Sequence, residues 1–244
     1  MSTFQVDILA IAAHPDDVEL AASGTLLAAI AAGHTVALVD LSRGELGTRG
    51  TPEIRAQEAA EATKFMGIRF RENVGLPDGF ISNTREQQMA LIPYIRKYRP
   101  RIVLANAVSD RHTDHGKAGA LVSDACFLSG LKAITTADDR GETQTVWRPQ
   151  AVYHYIQDRY IKPDLVVDIT PWFEKKMELI ALYKSQFYTG AAQHPEETTP
   201  ISTPEFWKFL EARSREMGRT IGVEFGEGFT TERPAGVSNL LNLK

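Results

Sequence analysis

The chain has 244 residues, 43% hydrophobic and 24% charged, with 27 Lys and Arg against 31 Asp and Glu and a formal net charge of -4. That composition excludes disorder and a coiled coil, and the acidic balance argues against nucleic acid or an anionic membrane as partner and for a small molecule. Cys126 is the only cysteine, no basic residue precedes Arg43 to begin a signal peptide, and the apolar stretch 20–32 is shorter than the roughly 20 residues that span a bilayer, so a cytoplasmic protein is expected.

Residues 6–13 form a short aliphatic run that stops at a polar cluster, the pattern of a buried strand, and 19–32 reads as a helix ended by Gly33. Residues 35–41 are the next strand. After a glycine-rich loop, Thr51-Pro52-Glu53 supplies an N-cap, a proline at the first helical position and an acidic first turn for a helix running to about Met66. A strand over 68–74, a helix over 84–98 stopped before Pro100 and a strand over 101–105 complete a βαβαβαβ alternation. Such alternation specifies a parallel sheet covered by helices on both faces. Strands over 151–156 and 165–169, a helix opened by Thr170-Pro171 and a helix from 204 to about 217 follow, while 133–150 and 189–204 read as long loops. The expectation is one α/β domain over 1–244, Rossmann-like with a mostly parallel sheet and a C-terminal extension from about 189.

Two polar clusters carry the chemistry: His14-Pro15-Asp16-Asp17 after the first strand and His112-Thr113-Asp114-His115 after the fourth. In the commonest doubly wound order those strands are neighbours, and ligands bind in the crevice outside their carboxyl ends. Both clusters then meet in one crevice, where two imidazoles and a carboxylate make an open Zn²⁺ site plausible. The first turn lacks the glycine-rich dinucleotide fingerprint, and Asp16 and Asp17 would repel a pyrophosphate, which disfavours a nucleotide cofactor.

Ala13-His14-Pro15-Asp16-Asp17 with His112-x-Asp114-His115 resembles the PIG-L/LmbE family of metal-dependent N-acetylglucosamine deacetylases. The resemblance continues through residues 44–50, Glu53-Ile54-Arg55 and Ser185-Gln186-Phe187-Tyr188, and is strongest to the branch that deacetylates N-acetylglucosaminyl malate in bacillithiol biosynthesis. It implies that His14, Asp17 and His115 bind one Zn²⁺ per chain, that Asp16 is the general base, and that His112 serves as acid or oxyanion partner, oriented by Asp114. It also implies a substrate-binding role for Arg55 and a homo-oligomer, with hexamers among the family's assemblies. The chemistry suits these residues, since an acetamide needs a nucleophile, charge stabilisation at its carbonyl oxygen and a proton for the leaving amine.

Plainer roles stay open beside these. Asp16 or Asp17 could cap the following helix, and Asp114 could be the N-cap of a helix from Gly116. Arg55 could form a surface i, i+3 pair with Glu58, and Arg49 is a weaker version of the same choice. Glu19 is either a first-turn helix residue or a sugar ligand, and His194 could line the pocket. His34 is expected to be exposed and His154 packed. Deacetylation of another N-acetylhexosamine, or binding of metal or sugar without catalysis, are the competing functions.

Overall fold

The computed structural model describes residues 4–190 and 198–242. Five parallel strands, β1 (Ile8–Ala12), β2 (Val36–Asp40), β3 (Phe70–Asn73), β4 (Ile102–Ala105) and β5 (Ala151–Tyr155), share one sheet with β6 (Leu165–Asp168) and β7 (Gly226–Thr231) in the order β3-β2-β1-β4-β5-β7-β6. β7 runs antiparallel between β5 and β6. The predicted neighbourhood of the first and fourth strands holds, with Ile8 opposite Ile102 and Ala10 opposite Leu104.

Strand β1 is an unbroken apolar run because both of its faces are buried. Its alternate residues feed two cores. Ile8, Ala10 and Ala12 pack with α1 (Asp17–Ala31), α2 (Pro52–Met66), α5 (Phe173–Ile180) and α6 (Pro204–Thr220). Leu9 and Ile11 pack with α3 (Arg85–Tyr98) and α4 (Thr113–Leu128) on the opposite face. Helix α2 begins as its sequence predicts: the Thr51 hydroxyl accepts the Ile54 amide, Pro52 follows, and Gly67 closes the helix at φ 73°. No helix among the described residues is long and apolar enough to cross a membrane.

Two expectations are revised. Helix α4 starts at Thr113 rather than Gly116, because the ring of His112, not the carboxylate of Asp114, is the N-cap: its Nδ1 accepts the Asp114 amide at 3.2 Å. Strand β7 has no counterpart in the sequence reading. Its carboxylate Glu227 is buried under α1, where it accepts the amides of Gly24 (3.0 Å) and Thr25 (2.7 Å) and an ion pair from Lys176 at 2.6 Å, so β7 ties α1 to α5.

Candidate active site

The loops after β1 to β5 converge at the carboxyl edge of the sheet around a cavity of about 320 Å³. Asp17 opens α1 at its floor and is fully engaged. One oxygen, Oδ2, accepts the amide of His14 and the Asn106 side chain, each at 3.0 Å; the other, Oδ1, accepts Gln157 Nε2 at 3.0 Å and lies 3.1 Å from His115 Nε2. Oδ2 is also 3.6 Å from His14 Nδ1. Desolvation opposes ionisation, but His115 and His14 outweigh it and hold the Asp17 carboxyl well below the usual range.

Each of the two imidazoles has its outer nitrogen against a carboxylate. His115 Nδ1 lies 2.5 Å from Asp110 Oδ2, and His14 Nε2 lies 2.9 Å from Asp78 Oδ1 and 3.4 Å from Asp114 Oδ2. Backbone amides aim these carboxylates: Leu46 donates to Asp78 at 2.8 Å and Gly79 to Asp114 at 2.7 Å. Carboxylates behind histidine ligands are the usual device for fixing ring orientation and raising ligand basicity. Burial works against the charged rings, yet the surrounding carboxylates raise His14 well above its ordinary pKa and His115 to about 9. Among the described residues the groups close enough to share a metal ion are His14 with His112 and His115, and His14 with Asp78 and Asp114; Asp17 stands beside the first, within 3.1 Å of His115 and 3.6 Å of His14, a donor set whose chemistry suits a divalent cation.

Asp114 does not orient the His112 ring, contrary to the expectation. With His112 as cap, the Asp114 side chain turns inward to the Gly79 amide and to His14, and only its backbone N–H meets His112. The His112 ring packs edge-on to His14 at 4.6 Å between centroids and stacks at 5.0 Å on His115. Burial and these two neighbours lower its pKa. Because Nδ1 is an acceptor, the neutral ring keeps its proton on Nε2.

Asp16 is buried at the cavity wall with φ 108°, a left-handed conformation unusual for a residue with a side chain. Desolvation pushes its carboxyl up to about 7, Arg55 pulls it down and Asp17 pushes it up. The buried guanidinium of Arg55 donates to the Pro15 carbonyl (2.6 Å), to Asp16 Oδ2 (3.2 Å) and to the Gly44 carbonyl (3.2 Å). The alternative surface pair with Glu58 is overturned, since Glu58 accepts the amide and hydroxyl of Ser185 instead. Arg49 lines the cavity and donates Nε to the Ser185 carbonyl at 2.7 Å, while Gln186 donates to the Arg49 carbonyl, so segment 185–188 clamps loop 44–50.

Glu19 is no sugar ligand. It is fully buried away from the cavity, accepting Arg71 at 2.6 Å and the Tyr183 hydroxyl at 2.9 Å. His194 lies outside the described residues, although Thr199, Pro200 and Ile201 from the same predicted loop do line the cavity. Loop 133–150 packs instead against α3, with Gln144 donating to the Pro93 carbonyl. His34 is exposed and His154 is packed, as expected. The sequence reading missed Asn106, Asp110 and Gln157, which follow β4 and β5, and Asp78 in the loop after β3; their only signal was that position.

Residues 9–126 match the family described as PIG-L, GlcNAc-PI de-N-acetylase. The chain is 33% identical to the conserved protein TT1542 from Thermus thermophilus, covering 97% of this chain and 99% of that one with a TM-score of 0.83. It is 26% identical over 236 residues to the diacetylchitobiose deacetylase of Thermococcus kodakarensis, covering 91% of this chain and 81% of the relative. The N,N'-diacetylchitobiose deacetylase from Pyrococcus horikoshii, at 24% identity, superposes with a TM-score of 0.76 over 92% of this chain and 83% of that one. The stretch that matches the PIG-L family, residues 9–126, holds both histidine and carboxylate clusters.

Proposed function

We propose that this chain is a metal-dependent deacetylase that releases acetate from the N-acetyl group of an N-acetylglucosaminyl conjugate, with N-acetylglucosaminyl malate of bacillithiol biosynthesis as the specific substrate. The observation that carries this reading is Asp16. It is a buried carboxylate on the cavity wall, next to the His14, Asp17 and His115 cluster yet turned from it toward Arg55, with its pKa pushed to about 7. Binding alone needs no such group, whereas a general base works best with a pKa near the operating pH.

A divalent cation held by His14, Asp17 and His115, Zn²⁺ by the nature of that donor set, supplies Lewis acidity at the amide carbonyl and a nucleophile at neutral pH. Asp16 takes the proton of the attacking water and returns it to the departing amine. Arg55 holds the Asp16 carboxylate and the Pro15 carbonyl in place, so it is a positioning residue. His112 presents Nε2–H to the carbonyl oxygen as negative charge develops there, a contact that strengthens toward the transition state. His112 serves in this reading as oxyanion partner, because the Asp114 amide already occupies the nitrogen that would have to take up a second proton.

The test is acetate release by metal-loaded and chelator-stripped protein from N-acetylglucosaminyl malate, N,N'-diacetylchitobiose and methyl N-acetylglucosaminide. Metal-dependent release with the highest kcat/KM on the malate conjugate is expected. Equal rates in stripped protein, or no acetate from any of the three, would overturn the deacetylase reading; preference for diacetylchitobiose would overturn the malate assignment alone.

A further inference from the structure

Arg213, on α6, is a cation at the cavity wall with no ion-pair partner among the described residues. Nη2 reaches the Leu20 carbonyl at 3.4 Å and the guanidinium carbon lies 5.2 Å from the Phe209 ring centroid; no carboxylate among the described residues forms an ion pair with it. The negative charges it feels belong to Asp158, Glu227 and Asp110. Each of these is committed elsewhere, to Arg111, Lys176 and His115. Arg55, for which the family resemblance implies substrate binding, is tied to Asp16 and two carbonyls. Arg213 is half-buried, and burial lowers its pKa against the pull of Asp158, Glu227 and Asp110.

A half-buried guanidinium at a cavity wall is a ready partner for an anion brought in with the ligand, since charge-assisted contacts of Arg with carboxylate or phosphate are short, directional and strong. The cavity that holds His14, Asp16, Asp17 and His115 is also lined by Arg213 and by the apolar Leu20, Ile201, Phe206 and Phe209; Arg213 touches the Leu20 carbonyl and the Phe209 ring. We propose that Arg213 is the anion-binding residue of this cavity and that it engages a carboxylate or phosphate carried on the aglycone while the apolar side chains around it pack against the sugar. The proposal rests on reading the cavity as an N-acetylglucosaminide site. Contact with a non-reacting part of the substrate is made equally in ground and transition states, so its loss appears in KM and not in kcat.

The experiment compares the metal-loaded wild type with Arg213→Gln and Arg213→Lys on N-acetylglucosaminyl malate, N-acetylglucosamine 1-phosphate and the neutral methyl N-acetylglucosaminide. Arg213→Gln is expected to raise KM for an anionic conjugate about 10- to 100-fold, with kcat and the neutral substrate changed by less than about 2-fold, and Arg213→Lys to recover part of the loss. Whether the malate or the phosphate responds identifies the anion. A KM rise shared by all three substrates, a fall in kcat on all three, or no change on any would overturn the proposal. Calorimetric titration of glucosaminyl malate and glucosamine 1-phosphate into wild type and Arg213→Gln separates this proposal from the deacetylase reading. If no acetate is released, weaker binding of an anion by the variant still upholds the role of Arg213. Equal affinities in the two proteins, or no binding of either anion by the wild type, would overturn it.

Discussion

Asp16 holds a left-handed backbone conformation that costs an ordinary residue of order 1–3 kcal/mol, and Arg55 keeps it there by gripping its carboxylate and the preceding carbonyl. Asn tolerates positive φ, so Asp16→Asn should fold and retain metal while kcat falls about 10²- to 10⁴-fold for want of a base. Asp17→Asn should lose metal first; metal analysis beside kcat separates the two roles, and equal metal loss in both variants would contradict them. The sign of an Arg55 variant follows from the charges. Arg55 lowers the Asp16 pKa, and a base works in its ionised form, so Arg55→Gln should move the acidic limb of kcat/KM to higher pH and depress activity most on the acidic side. Neutral and anionic substrates should suffer alike, and an unmoved limb would leave Arg55 without this function. His14, Asp16, Asp17, His112 and His115 were legible in the sequence because they crowd the ends of two strands that are neighbours in the commonest doubly wound order, and are neighbours here. Asp78 was not, because an aspartate in Pro77-Asp78-Gly79 is what any turn contains; its place beside His14 depends on the Leu46 amide, 32 residues away in sequence.

Elements whose local chemistry agrees with the fold were read correctly, and β7 shows where that agreement ends. Gly226 and Gly228 depress any strand signal, yet each makes room for a neighbour: a Cβ on Gly226 would lie 2.8 Å from the Gly218 amide nitrogen on α6, and one on Gly228 would lie 2.8 Å from the Met217 sulfur. Close approach of α6 to β7 sets those glycines, and no spacing rule records it. Loop 44–50 is a second case, since its match to the family was visible but its purpose was not. Gly44 sits at φ 67°, and a Cβ there would fall 1.8 Å from Arg55 Nη1. Gly44→Ala should therefore displace the Arg55 guanidinium as well as strain the backbone by roughly 1–2 kcal/mol. The pH profile of Gly44→Ala is expected to shift in the same direction as that of Arg55→Gln. A profile like the wild type's, with only a lowered Tm, would show that the guanidinium keeps its hold on Asp16 by another path.

At the scale of the whole molecule the alternation of strands and helices made the architecture readable, because a parallel sheet with covered faces leaves few ways to connect the chain. Both cores pack on the same central strands, so the two sides of the sheet should unfold together. The site draws on the loops after all five parallel strands, through Asp17, Gly44, Asp78, His115 and Gln157. A cation bound by His14, Asp17 and His115 would join α1 to α4 across the sheet, and any ligand that binds only the folded chain stabilises it by mass action. Free Zn²⁺ at 100 times its Kd should contribute about 2.7 kcal/mol, which for a chain of this size raises Tm by roughly 5–10 °C in a single transition. His115→Ala should abolish that shift, and Asp16→Asn, whose changed group is not a ligand, should keep it. Thermal unfolding followed at once by far- and near-ultraviolet circular dichroism, with and without chelator, decides both points. Two separated transitions would overturn the expectation of one domain over 1–244, and a Tm indifferent to chelation would remove the cation from His14, Asp17 and His115.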